Sequence, residues 1–387
     1  MDRISSVIEQ FIAAEHITGA AVRVCKKDGI LFDGAYGFAD LEKKLPVRAN
    51  TMYRLCSMSK PITGICVMKL VEEGKLCLND PIAAFVPSIK DMQVAIADES
   101  GVQQLVPLNR DITVYDCLTH SSGIGTGALR CGTDIETVSM GYVMSKLYPG
   151  MSLAERANLY AQGPADFQPG DGTGYSALMA FDMLVYVIEC VSGMDFSTYL
   201  RKEITEPMGI QDLTFMPDED QCSRMGPIVG KMDGKLFDDT KTSVLWQLVD
   251  PVSSGYHSGS GGLIGSLEAY SSIAKMLLGG GLYDGVRILK EETVRMMRGI
   301  GIQQGLRFEE EAYWGLSVAV FDRPWTVNRG LTPNSYGWSG AFGTHFYIDP
   351  EQELAVTLMT CGTHLAGADS DVSWAVERAV YEMFCKK

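Results

Sequence analysis

The sequence predicts an α/β protein of the α+β type. An antiparallel sheet built from both chain ends is flanked by helices, and a mainly helical domain is inserted between those ends. Three observations carry this prediction. Strand-like segments fall near both ends, at 20–35 and 315–361. Helical periodicity opens and closes the chain. Long apolar helices occupy its middle. The expected division is residues 1–60 with 255–387 as the sheet domain and 61–254 as the helical one, with a catalytic cleft between them.

Each element has its own signal. Ile4, Val7, Ile8, Phe11 and Ile12 recur at helical spacing, so residues 3–15 form an amphipathic helix. Segments 20–25 and 30–35 are short strands joined through Lys26-Lys27-Asp28-Gly29. Residues 36–50 read as irregular. A helix from 57 to 74 is apolar nearly all round, through Ile62, Ile65, Cys66, Val67, Met68, Leu70 and Val71, and so is buried. Asn79-Asp80-Pro81 is a turn, and residues 88–112 read as loop. Val114–Leu118 ends in the polar turn Thr119-His120-Ser121-Ser122-Gly123, where His120 either serves a site or ties down the loop. Residues 124–165, rich in Gly, Ser and Thr, suggest a lid or pocket wall.

A second apolar helix opens at Gly174-Tyr175-Ser176-Ala177, runs to 191 and closes at Ser192-Gly193. Residues 218–254 carry no clear pattern. The glycine-rich stretch 258–265 lacks a following G-K-[ST], which favours close backbone packing over phosphate binding. Helices follow at 267–278 and 290–298, then strands at 315–321, 337–349 and 354–361. Residues 371–384 form the closing amphipathic helix.

Composition excludes several function classes. The length suits one large domain or two interleaved ones. A formal net charge of −15 argues against nucleic acid and anionic membranes as partners. Residues 1–15 hold no continuous apolar core, and no apolar run is long enough to span a membrane, so a cytoplasmic protein is expected. Ten cysteines without a C-x-x-C pair read as reduced thiols, and Cys56 as a small core residue. The five histidines form no H-x-H or H-E-x-x-H spacing. Neither a metal nor a cofactor is expected.

The chemistry centres on Ser57-Met58-Ser59-Lys60-Pro61, an S-x-x-K at a helix start. Residues three apart share a helix face. The serine hydroxyl then sits near free backbone N–H groups with an ammonium one turn away, the surroundings that nucleophilic acyl transfer needs. Pro61 is tolerated there because a first-turn proline removes no bond. The pattern alone is also a helix cap followed by a lysine. Ser272-Ile273-Ala274-Lys275 repeats it, and Gly337-Trp338-Ser339-Gly340-Ala341 nearly matches the G-x-S-x-G nucleophile elbow. That elbow needs a strand, a turn and a helix, whereas Ser339 falls within a strand pattern.

Taken together, these motifs resemble the serine β-lactamase and penicillin-binding-protein superfamily, in its class C-like branch, closest to the family VIII carboxylesterases. The resemblance spans nearly the whole chain. Ser57-Met58-Ser59-Lys60-Pro61 is similar to the first motif, and Leu118-Thr119-His120-Ser121-Ser122-Gly123 to the L-T-H-x-S-G turn. Pro169-Gly170 with Tyr175-Ser176 resembles the second motif, and Trp338-Ser339-Gly340 the third. The resemblance implies a β-lactamase/transpeptidase-like fold and a Ser57 acyl-enzyme. Lys60 and Tyr175 would form the base system, and the backbone N–H groups of Ser57 and Ala341 the oxyanion hole. Trp338, Ser339 and Gly340 would meet substrate.

Two departures bear on substrate. Ala177 stands where the Y-x-N motif has asparagine, and Trp338 where K-T-G has lysine. Polar anchors for an anionic amide are thereby lost, and an apolar wall is gained. The expected activity is hydrolysis of small-molecule esters with short-to-medium acyl groups. A D-amino-acid amidase or peptidase, a weak β-lactamase, an acyltransferase using the same residues, and a penicillin-type acylated sensor stand as alternatives.

Overall fold

The structure is a computed structural model that describes residues 2–97, 103–126, 138–148, 150–251, 255–299, 307–324, 329–365, 367 and 370–385. The expected lid or pocket wall at 124–165 therefore lies partly outside the described residues, at 127–137 and 149.

A first helix, Arg3–Ala13, is capped by Asp2, whose carboxylate accepts the N–H of Ser5. Strands β1 (Gly19–Lys26) and β2 (Gly29–Asp40) form the expected hairpin. Residues 36–50, expected to be irregular, instead hold the end of β2 and the short β3 (Leu45–Pro46). The period-two signal is hidden there by glycine. Gly37 has φ 67°, and a Cβ on it would lie 2.4 Å from Thr18 O.

Strand β4 (Met52–Arg54) enters a 3-10 turn, Cys56–Met58, which continues as the helix Ser59–Glu72. The α-helix proper thus starts two residues after Ser57. Within 88–112, expected as loop, β5 (Gln93–Ala97) and β6 (Gln103–Pro107) form a hairpin. Its Ile96 and Leu105 are exposed, so burial leaves little alternation to read. The second apolar helix, Met179–Ser192, begins four residues beyond Tyr175 rather than at it, and Gly193 closes it in the left-handed region. After β7 (Leu213–Thr214), residues 218–254 hold helix Glu219–Ser223, hairpin β8 (Val229–Met232)–β9 (Lys235–Asp238) and helix Val244–Val249.

Strand β10 (Ile264–Ser266) leads into helix Leu267–Leu278, capped by Ser266. A small hairpin, β11 (Leu282–Tyr283) with β12 (Val286–Arg287), precedes helix Glu291–Gly299. The segment 315–321 resolves into a turn between β13 (Ala312–Trp314) and β14 (Ala319–Phe321). The segment 337–349, expected as one strand, is two: β15 (Ser335–Ser339) and β16 (His345–Asp349). Gly343, at φ 92°, makes the reversal between them. Strand β17 (Leu354–Met359) and helix Asp371–Phe384 complete the described chain.

The main sheet runs β13-β14-β15-β16-β17-β1-β2-β3, antiparallel throughout, so the two chain ends do build one sheet. They meet at β1 and β17, where Ala21 faces Met359. Side chains alternate across a strand, and β1 splits between two cores. Ala20, Val22 and Val24 join Val372, Val376 and Val380 of the last helix, beside Ile4 and Ile8 of the first. Ala21 and Cys25 join the larger core holding the Ser59–Glu72 and Leu267–Leu278 helices. Each fully buried valine or isoleucine contributes about 1.5–3 kcal/mol. Among the described residues, no helix is long and apolar enough to cross a membrane.

A buried ion pair holds the back of the sheet. Arg329 Nε donates to Glu377 Oε2 at 3.0 Å, and Nη2 donates to Oε1. His345 Nε2 lies 3.0 Å from the same Oε1, a contact that falls short of an aligned hydrogen bond. Burial alone would push the Glu377 carboxyl up, but Arg329 and His345 together outweigh it and bring the pKa down from the usual 4.5 to about 2. A depressed folded-state pKa means the pair's stabilisation is complete above about 4.5 and is lost as pH falls toward 2. Glu377→Gln leaves Arg329 buried without its counter-charge. It is expected to lower the unfolding free energy at pH 7 by about 3–5 kcal/mol, read from urea denaturation. A loss below about 1 kcal/mol would show that the pair is not the anchor.

Candidate active site

The chain reaches Ser57 through a strained turn. Cys56 has φ 46°, in the left-handed region that a side chain with a Cβ rarely adopts. Such backbone costs on the order of 1–3 kcal/mol and persists only where its surroundings impose it. Here those surroundings are the third motif. Thr344 Oγ1 donates to Leu55 O at 3.2 Å, and a Cβ on Gly340 would lie 2.2 Å from the same oxygen. Glycine at 340 therefore lets the end of β15 close on the serine turn. That approach sets the end of β15 beside the serine turn, where Ser57 and Ala341 are both partly exposed. Neither the N–H of Ser57 nor that of Ala341 donates to another described group.

Lys60 follows one turn later. It is 1% exposed, and its Nζ donates to Ala177 O at 2.7 Å, Ser260 O at 2.9 Å and Ser57 Oγ at 3.4 Å. An ammonium has three N–H donors, so each has a recipient. Tyr175 Oη and Ser57 Oγ are hydrogen-bonded at 2.7 Å, and Trp338 Nε1 donates to Tyr175 Oη at 3.3 Å. The Lys60 ammonium stands 5.0 Å from the Tyr175 ring centre. Ser57, Tyr175, Trp338 and Ala341 all keep part of their surface open, whereas Lys60 is sealed beneath them.

This geometry accompanies a match of residues 4–380 to the Beta-lactamase family. The chain belongs to the Beta-lactamase family. Esterase EstB of Burkholderia gladioli is 26% identical over 394 residues, covering 98% of this chain and 94% of that one. Among solved structures, EstCE1, titled a hydrolase with promiscuous acyltransferase activity, matches with a TM-score of 0.80 at 21% identity. That match covers 98% of this chain and 97% of EstCE1. Simvastatin synthase LovD of Aspergillus terreus, unliganded, matches with a TM-score of 0.81 at 19% identity, over 100% of each chain. The fold is the β-lactamase/transpeptidase-like one that the motifs implied.

Other features of this Beta-lactamase family site were only partly legible. His120 ties down the tyrosine. Its Nδ1 accepts the N–H of Ser176 at 3.0 Å, and its carbonyl accepts the N–H of Gly174 at 2.9 Å. The ring packs against Tyr175, Phe181 and Trp314. Burial, aided by the Lys60 charge, pushes its pKa well below the usual histidine range, so the imidazole is neutral. Asp182, which the motifs did not single out, is fully buried. It accepts from Ser258 Oγ at 2.8 Å, Tyr256 Oη at 2.9 Å and Ser260 Oγ at 3.0 Å. It thereby fixes the segment whose Ser260 carbonyl receives Lys60. Burial pushes its carboxyl pKa up against these bonds. An acid inside so apolar a helix was the available signal, because a buried carboxylate needs partners.

The glycine-rich stretch shows the close packing expected of it. A Cβ on Gly259 would lie 2.2 Å from Val185 Cγ2. Trp314 and Phe308 extend the aromatic wall behind Trp338, with ring centres 4.6 Å apart for Trp314–Trp338 and 4.3 Å for Phe308–Trp314. The other serines are occupied. Ser339 is buried, and its Oγ bonds His345 Nδ1 at 2.7 Å, so only its backbone is left for the cleft. Ser272 Oγ donates to Glu268 O, and Lys275 pairs with Asp284.

Proposed function

We propose that this protein is a serine carboxylesterase that cleaves small-molecule esters of short-to-medium acyl groups through a Ser57 acyl-enzyme. The observation that carries the reading is the 2.7 Å bond between Ser57 Oγ and Tyr175 Oη beside a fully engaged Lys60. With all three N–H groups spent, Lys60 acts as a cation rather than as the base. The Lys60 ammonium, 5.0 Å from the Tyr175 ring centre, and the Trp338 N–H, 3.3 Å from its oxygen, are placed to stabilise negative charge on Tyr175 Oη.

Tyr175 then takes the Ser57 proton as Oγ attacks the ester carbonyl. The tetrahedral oxyanion is held by the N–H groups of Ser57 and Ala341. Collapse breaks the C–O bond, and the leaving alkoxide receives the proton from Tyr175. Water repeats the sequence and releases the acid. An alcohol or amine acceptor would give acyl transfer with the same residues, the second activity of EstCE1, a hydrolase with promiscuous acyltransferase activity.

Substrate charge follows from the third motif. A carboxylate entering a partly dry cleft needs a counter-charge, and Trp338 supplies none. Ala177, exposed, offers no amide. Hydrolysis of p-nitrophenyl acetate or butyrate is expected, with very weak turnover of penicillins, nitrocefin and D-amino-acid p-nitroanilides. Trp338→Lys should move the ratio toward carboxylate-bearing substrates. An unmodified enzyme that cleaves anilides or penicillins faster than neutral esters would overturn the esterase reading in favour of the peptidase or β-lactamase one.

A further inference from the structure

A second cavity of about 610 Å³ opens between the end of β2 and the β8–β9 hairpin. None of Ser57, Lys60, Tyr175 or Trp338 lines it. Its volume falls in the range of small-molecule sites, about 300–1,000 Å³.

Arg54, a residue 7% exposed, is part of the lining. Arg54 Nη1 donates to Gly226 O at 3.0 Å, and the group stands 5.3 Å from the Trp246 ring centre. Gly226 is held in place by close approach, since a Cβ there would lie 1.9 Å from Ala39 O. Arg54 Nε is buried without a partner, and no described carboxylate lies within 4.0 Å of the group. Two comparably buried arginines differ in this respect, because Arg23 faces Asp33 and Arg329 faces Glu377. A guanidinium taken out of water without an anion is expensive. Asp40, an acid in the lining, pairs with Lys43 at 3.0 Å.

The lining also holds exposed apolar side chains. Leu41 is 51% exposed and Phe237 42% exposed, and both line the cavity with Met225. Glu42 and Asp238 also line it, as do Lys43 and Lys241, so the lining carries charges of both signs and its exposed apolar side chains favour a ligand with an apolar body over inorganic phosphate. We propose that this cavity binds an organic monocarboxylate with an apolar body, its carboxylate on Arg54 and its chain against Leu41 and Phe237. The planar guanidinium suits a carboxylate, and the exposed apolar side chains suit a tail.

The test is calorimetric titration of the full chain with octanoate, with octanol and inorganic phosphate as controls lacking the charge or the apolar body. Octanoate should bind, and both controls should bind at least about tenfold more weakly. Arg54→Met and Leu41→Glu should each weaken octanoate by about tenfold or more. Leu41 is at the exposed lip, so Leu41→Glu decides the matter if Arg54→Met fails to fold. Turnover of p-nitrophenyl acetate should be unchanged in Leu41→Glu. No octanoate binding to the unmodified chain would overturn the assignment. So would binding that both variants retain and that competes with p-nitrophenyl butyrate, which would place octanoate at Ser57 instead.

Discussion

Ser57→Ala is expected to abolish ester turnover, a loss on the order of a millionfold in kcat, and to end labelling by a fluorophosphonate. The size follows from the role proposed for the hydroxyl. Without Oγ no acyl-enzyme forms, and the remaining N–H groups can only polarise a carbonyl for attack by water. Ser339→Ala should keep its labelling, because the Ser339 hydroxyl is buried against His345. The two outcomes are separable by peptide mapping of the labelled protein. A label on Ser339 would show that the strand opens to expose its far face, and the reading of Ser57 would fail.

The second large effect concerns the proton. Tyr175→Phe keeps the ring that packs on His120 and Trp338 and deletes only the hydroxyl. Lys60→Ala removes the cation beneath it. Each is expected to lower kcat on the order of a thousandfold. The double variant should be little worse than either single one, because both disable one proton-transfer unit. Lys60 is buried among carbonyls, so its removal also leaves Ala177 O and Ser260 O without their donor. Lys60→Met, which fills the space, controls for that. Near-normal kcat in Tyr175→Phe would show that Lys60 takes the proton itself.

Much of the fold was legible because burial imposes pattern. The apolar runs of β1 and β17 and the stripes of the terminal helices placed the sheet and its flanks. The hairpins β5–β6 and β8–β9 were not, since short, half-exposed strands need neither alternation nor an apolar run. Strand β15 merged with β16 in the sequence because both are buried and only the tight turn at 340–344 divides them. At the site, the spacing of Ser57 and Lys60 recurs at Ser272 and Lys275, so these two residues, like Tyr175, were singled out through the family motifs. Asp182, Trp314 and Arg54 act through neighbours far along the chain. Asp182 meets Ser258 and Ser260, and Arg54 meets Gly226. No local spacing encodes such a meeting.

The thiol beside Ser57 has a practical consequence. Cys56 is packed beneath the serine turn, and burial pushes its pKa far above the usual cysteine range, so almost no thiolate forms. Maleimides and mild oxidants should therefore pass it by while the chain is folded. Cys77, Cys190 and Cys222 are exposed. They offer handles for attaching dyes or solid supports at positions outside the catalytic cluster. A chain conjugated through these surface thiols should keep Ser57 free, and late reaction of Cys56 would report that the turn carrying it has come undone.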